Sequence, residues 1–133
     1  MDLDLWNTAE DQINRAAELF GKVLEKRPGD QQVKYEGARI YHIKGRVEEQ
    51  LKQWEIALDD QNKAFKIYED LGDPQGMGNA AFSLGEVCTK QGQKQAALEW
   101  FRNALTHYGL CMPYDPETIQ LVEKKIAQLD QTP

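Results

Sequence analysis

Two histidines, two cysteines and a short run of bases are the residues of this chain whose types and spacing could do chemistry. His42 and His107 lie far apart, and neither has a serine or cysteine nearby in a nucleophile pattern. The glycine-rich patch from Gly72 to Gly78 follows no strand-like run, so it reads as a turn between helices rather than a phosphate cradle. His107 and Cys111 are four apart, a spacing that could place two metal ligands on one helix face. Gly109 interrupts that helix, no second pair exists, and a protein metal site takes three or four ligands. The pair therefore reads as a half-buried imidazole and an ordinary thiol, and Cys88 reads as core packing. No enzyme activity, metal or other cofactor is expected from these spacings. Arg39, His42 and Arg46 are three and four apart, which puts them on one helix face. A basic helix face is a solvated surface as readily as a binding surface, and spacing alone leaves both readings open.

The residues that must position such a face form a chain of 133, which suits a single domain over 1–133. Hydrophobic residues are 41% and charged residues 29%, a globular composition. The net charge of −6 argues against nucleic acid, whose phosphates call for a basic surface, and against anionic membranes. Lys34 to Arg46 is the exception, with Lys34, Arg39, Lys44 and Arg46 against only Glu36. The acidic opening Met1-Asp2-Leu3-Asp4 does not read as a signal peptide, and no run approaches the roughly 20 apolar residues of a membrane span. Two cysteines are too few for a disulfide framework, so the expected compartment is the cytoplasm.

No run alternates apolar and polar residues as a strand would, and six stretches carry helical periodicity. The first spans about residues 5–26 and ends at Arg27-Pro28-Gly29-Asp30. The others span about 31–51, 53–70, 75–90, 94–108 and 116–129. Leu71-Gly72-Asp73-Pro74 is a strong stop, since glycine takes a left-handed cap and proline cannot continue a helix. Asp115 and Pro116 suit the cap and first position of the last helix. Connections this short predict antiparallel neighbours, each burying an apolar stripe on the next.

Sliding the chain by 40 residues superposes it on itself. Gly45 falls on Gly85, Val47 on Val87, Ala57-Leu58 on Ala97-Leu98, Ala64 on Ala104 and Tyr68 on Tyr108. The first segment joins with a shift of 41, Ala16 falling on Ala57 and Val23 on Ala64. Two antiparallel helices approach closely only where side chains are small, which Gly85, Ala97 and Ala104 provide. A rival shift of 47 pairs Gly45 with Gly92 and Trp54 with Phe101, and would make 47–71 one long helix. The shift of 40 matches more positions.

Leu84-Gly85, Gly92, Ala97-Leu98, Phe101 and Ala104-Leu105 resemble the tetratricopeptide repeat (TPR). The stretch around Leu71-Gly72-Asp73 is similar to the longer repeats of kinesin light chains, spindle-orientation scaffolds and bacterial peptide-sensing regulators. The resemblance covers about residues 10–108. It implies an all-α fold of antiparallel helix pairs, at about 5–27, 31–71 and 75–108, stacked as a short right-handed superhelix with a capping helix at about 116–130. The middle unit departs from the pattern with Lys52 at the turn glycine and Lys44 at the apolar position before Gly45. The first unit shows only its second helix clearly.

The resemblance further implies that the first helix of each pair lines a concave groove for a partner peptide. Carried over by the register, Arg39, His42 and Arg46 would face it, joined by Asn79, Phe82, Glu86 and Lys90. The expected function is a protein–protein interaction scaffold whose partner segment carries acidic residues. Chaperone-binding members hold a C-terminal carboxylate with lysine and asparagine. Here His42, Arg46 and Ser83 stand at those positions, which argues against a heat-shock-chaperone adaptor. A second reading is a homo-oligomer formed through the incomplete first unit, with Trp6, Ile13 and Phe20 as the contact residues. A third is a regulatory module sensing a peptide or ligand.

Overall fold

The computed structural model describes residues 3–113 and 115–131. Among them there are six helices and no strand: α1 Leu3–Lys26, α2 Gln31–Gln50, α3 Trp54–Leu71, α4 Pro74–Lys90, α5 Lys94–Tyr108 and α6 Pro116–Asp130. Three of the starts are fixed by aspartates whose carboxylates accept the free backbone N–H groups of a first turn. Asp30 accepts from Gln32 N at 2.9 Å and Val33 N at 3.2 Å, and Asp73 from Gly76 N at 3.2 Å. Asp115 accepts from Glu117 N at 3.1 Å and from the Thr118 hydroxyl at 2.6 Å.

The break between α2 and α3 falls at Leu51–Gln53, as the 40-residue register requires and the 47-residue one forbids. It repeats bond for bond at the α4–α5 turn. Leu51 N, Lys52 N and Gln53 N donate to Val47 O, Glu49 O and Glu48 O. Forty residues on, Gln91 N, Gly92 N and Gln93 N donate to Val87 O, Thr89 O and Cys88 O. The geometry needs a left-handed residue in the middle. Gly92 supplies it at φ 74°, and Lys52 is driven to φ 60° without glycine's freedom.

Each helix packs antiparallel on the next, and α2 also reaches across to α4. Close approach is built from a glycine under a large side chain. A Cβ on Gly85 would lie 2.6 Å from the Phe101 ring, and one on Gly45 would lie 2.7 Å from the Gln61 amide. At the C-terminal end Phe101, Ala104, Tyr108, Cys111 and Val122 form one apolar cluster, which α6 closes. The interior of α2–α3 is different in kind. Glu48, Asp60 and Gln61 are buried there, and Lys44 Nζ lies 2.7 Å from Glu48 and 2.6 Å from Asp60.

Candidate peptide-binding groove

A concavity of about 550 Å³ lies between the first helices of the two complete pairs, with α6 along its far side. Six of the seven groove residues expected from the sequence line it: His42, Arg46, Asn79, Phe82, Glu86 and Lys90. Arg39 does not. It sits nearly two turns before Arg46, exposed, with its guanidinium 3.4 Å from Glu36 on its own helix. The lining also includes Glu49, Gln50, Ser83, Tyr108, Leu121 and Lys125. Glu49 and Gln50 continue the stripe of His42 and Arg46 at helical spacing, a signal the sequence held. Leu121 and Lys125 come from α6, which has no counterpart in the repeat, so no register could place them.

Among the described residues the groove's charges sort into pairs with one cation left over. Lys90 lies 2.9 Å from Glu49, which ties α4 to α2, and Lys125 lies 3.1 Å from Glu86, which ties α6 to α4. Lys90 also stands over the Trp54 ring at 5.8 Å, a cation–π contact to α3. Arg46 has no carboxylate within ion-pair distance among the described residues. Tyr108 donates its hydroxyl to Asn79 Oδ1 at 2.6 Å, which fixes that amide. Phe82 and Leu121 supply apolar surface, Phe82 being held against Phe101 at 5.5 Å between ring centroids.

His42 is gripped from below. Gln61, fully buried, donates its Nε2 to His42 O at 2.9 Å and places its Oε1 2.8 Å from His42 Nδ1. Burial pushes the imidazole below the ordinary histidine range, and Arg46 adds to that shift against the raising effect of the Gln61 hydrogen bond. The ring is therefore neutral at pH 7. Behind it, burial and then the neighbouring Asp60 raise the Glu48 carboxyl to about 7. Burial alone would lower Lys44, but its hydrogen bonds to Asp60 and Glu48 more than offset this and hold it above its usual range.

Phe20, expected from the sequence as a self-association residue, is instead 7% exposed. Its ring packs edge-on against Tyr41 at 5.9 Å and fills the space above Gly37. It belongs to the α1–α2 interface because Gly37 sits under its ring as Gly85 sits under Phe101. Ile13 and Trp6 are half-buried, Ile13 in a shallow seam with Ala9, Gln12, Ile43 and Val47. No group of three or more potential metal ligands gathers among the described residues. The His107 ring bonds to Asn103 O at 2.9 Å, and the Cys111 thiol donates to His107 O at 3.5 Å.

A stack of antiparallel helix pairs with a groove along its first helices defines a helical-repeat interaction module. The chain belongs to the tetratricopeptide repeat family, whose model matches residues 38–108. Among solved structures it is similar to the N-terminal domain of stress-induced protein-1 (STI-1) from C. elegans, with a TM-score of 0.65 and 23% identity. That likeness covers 96% of this chain and 91% of the other, and it is a likeness of fold. A search of curated proteins gave no match. The chain is a protein–protein interaction module, and no helix among the described residues is long and apolar enough to cross a membrane.

Proposed function

We propose that the groove between α2 and α4 binds a segment of a partner protein through an acidic side chain on Arg46 and an apolar one on Phe82 and Leu121. The observation that carries this is Arg46 itself. It is a cation at the wall of a concave site in which each acid already has its own lysine. An incoming carboxylate meets an unspent guanidinium, which offers two parallel donors in a fixed fork. The reading takes residues 1–133 as one module. It places that module in the cytoplasm, where two buried, unpaired thiols are at home.

Selection from a displayed peptide library tests it. Wild-type protein is expected to enrich acidic peptides, and Arg46→Glu to lose them at least about tenfold with the melting temperature unchanged. Arg39→Glu, outside the groove, is the control and is expected to bind as wild type. Enrichment of peptides without an acid, or equal loss in both variants, would overturn the assignment.

A second reading, self-association, draws on α1. Leu19 and Val23, one helical turn apart, are exposed, and Val23 borders an apolar hollow shared with Phe20, Val33 and Ile40. Sedimentation velocity over a wide concentration range decides it. A Leu19→Lys/Val23→Lys variant is expected to dissociate any oligomer, and a wild type that stays monomeric throughout excludes the reading.

A further inference from the structure

Among the positions at which the two complete repeats differ, one pair is coupled across the groove wall. In the second, Phe82 on the groove wall rests on Phe101 beneath it. Forty residues earlier the same two places hold His42 and Gln61, and the ring contact is replaced by hydrogen bonds. Gln61 bonds twice to one residue, and the two bonds fix each other's polarity. Its Nε2 faces a backbone carbonyl, which only accepts, so its Oε1 must face the ring. An amide oxygen only accepts as well, so His42 Nδ1 carries the proton. In a neutral imidazole the other nitrogen, Nε2, is then a lone pair. His42 lines the groove while its Nδ1 side is turned inward to Gln61.

We propose that Gln61 is a positioning residue that locks His42 in the Nδ1–H form, so that the groove presents a hydrogen-bond acceptor beside Arg46. This rests on the groove reading above and sharpens its partner. The bound segment carries a side-chain donor, such as a serine, threonine or asparagine, next to its acid. An acid alone would satisfy Arg46 and leave Nε2 desolvated without a partner, and such a loss is the basis of discrimination between otherwise similar ligands. The neutral state of the ring fits this role. The charged groups around it are Arg46 and Glu49 on its own helix, Glu86 and Lys90 on α4 and Lys125 on α6. Tyr108 comes from α5, and Lys44 and Asp60 form the cluster behind.

Two measurements test it on the full chain. Long-range ¹⁵N–¹H NMR of the imidazole above neutral pH is expected to show a protonated Nδ1 and a bare Nε2 in wild type. Gln61→Leu is expected to revert to the Nε2–H form that unconstrained imidazole favours. The second probe is a short-peptide library with one fixed glutamate and randomised neighbours. Wild type is expected to enrich side-chain donors beside the glutamate by about tenfold, and Gln61→Leu to keep the acidic peptides without that enrichment. Gln61→Glu sets a carboxylate on Nδ1–H, favours the charged ring and turns Nε2 into a donor. It is expected to select a second acid in place of the donor, and it serves if Gln61→Leu fails to fold. An Nε2–H ring in wild type, or donor enrichment that survives in a folded Gln61 variant, overturns the inference while leaving acid binding at Arg46 intact. A library that wild type does not retain at all overturns both, whatever the tautomer.

Discussion

The α2–α3 and α4–α5 pairs share a backbone and differ inside. Their turns make the same three hydrogen bonds, and Gly45 and Gly85 each sit under a large side chain. Yet Leu84, Cys88 and Phe101, all buried, correspond to Lys44, Glu48 and Gln61. The comparison teaches that the repeat is specified by its glycines, alanines and turns, while the interior can be apolar or a satisfied polar network. The polar version is the more exacting. Lys44 serves two buried carboxylates, with only the exposed Lys63 at 3.8 Å from Asp60 to help, and Glu48 Oε1 is left buried with no hydrogen-bond partner.

The comparison breaks most sharply at Lys44. Lys44→Leu copies the second repeat but leaves buried Glu48 without its cation and Asp60 with only the exposed Lys63, and is expected to destabilise by about 3–5 kcal/mol in urea denaturation. Replacing the whole set, Lys44→Leu with Glu48→Met and Asp60→Leu, is expected to return to wild-type stability or exceed it by about 1–4 kcal/mol. If the triple variant is no better than the single one, the network is not the source of the difference.

Stability should also follow pH in one pair and not in the other. Glu48 titrates near 7 in the folded chain against an ordinary 4.5. Between those values the folded chain holds a proton that the unfolded one has lost, so stability falls as pH rises through that window. His42 acts oppositely. Held below 6.5 when folded, it favours the unfolded chain as pH drops beneath that value. The expected result is a mildly acidic optimum and a decline on the order of 1–3 kcal/mol toward pH 8. Hydrogen exchange should place that decline in α2 and α3, and Glu48→Gln should flatten it. A slope that persists in Glu48→Gln points to some other group.

The smallest expected effect is at the turns. Lys52→Gly removes the strain of a left-handed lysine and is expected to stabilise by about 1 kcal/mol. Gly92→Lys is expected to destabilise by a similar amount, which would make the two turns equivalent in thermal melts.

The repeat was legible because its constraints are local. Gly45 with Gly85, Ala57 with Ala97 and Ala64 with Ala104 mark close helix approach directly. Most of the groove wall followed, since residues on one helix face share one destination. Arg39 failed because the concavity ends before its turn, a limit of tertiary shape that periodicity does not encode. Lys44 read as a base in a basic stretch and as a departure at an apolar position, but not as the partner of a buried cluster. Its partners Glu48 and Asp60 look in sequence like surface residues, although the register places Glu48 on the core residue Cys88. Gln61 could have been found by one comparison, its alignment in the register with Phe101.

The uneven interior also gives the chain a direction of assembly. In an array whose repeats contact only their neighbours, folding can nucleate in any repeat, and the unit with the most apolar surface is expected to form first, with pulsed hydrogen exchange as the check. Here that unit is α4–α5 closed by α6, with Phe101 and Val122 in its cluster. The α2–α3 pair gains its ion cluster only once packing has excluded water. Synthesis, however, delivers α2–α3 first. The polar half emerges from the ribosome before the apolar half, and Lys44, Glu48 and Asp60, not yet buried, are then expected to keep it hydrated.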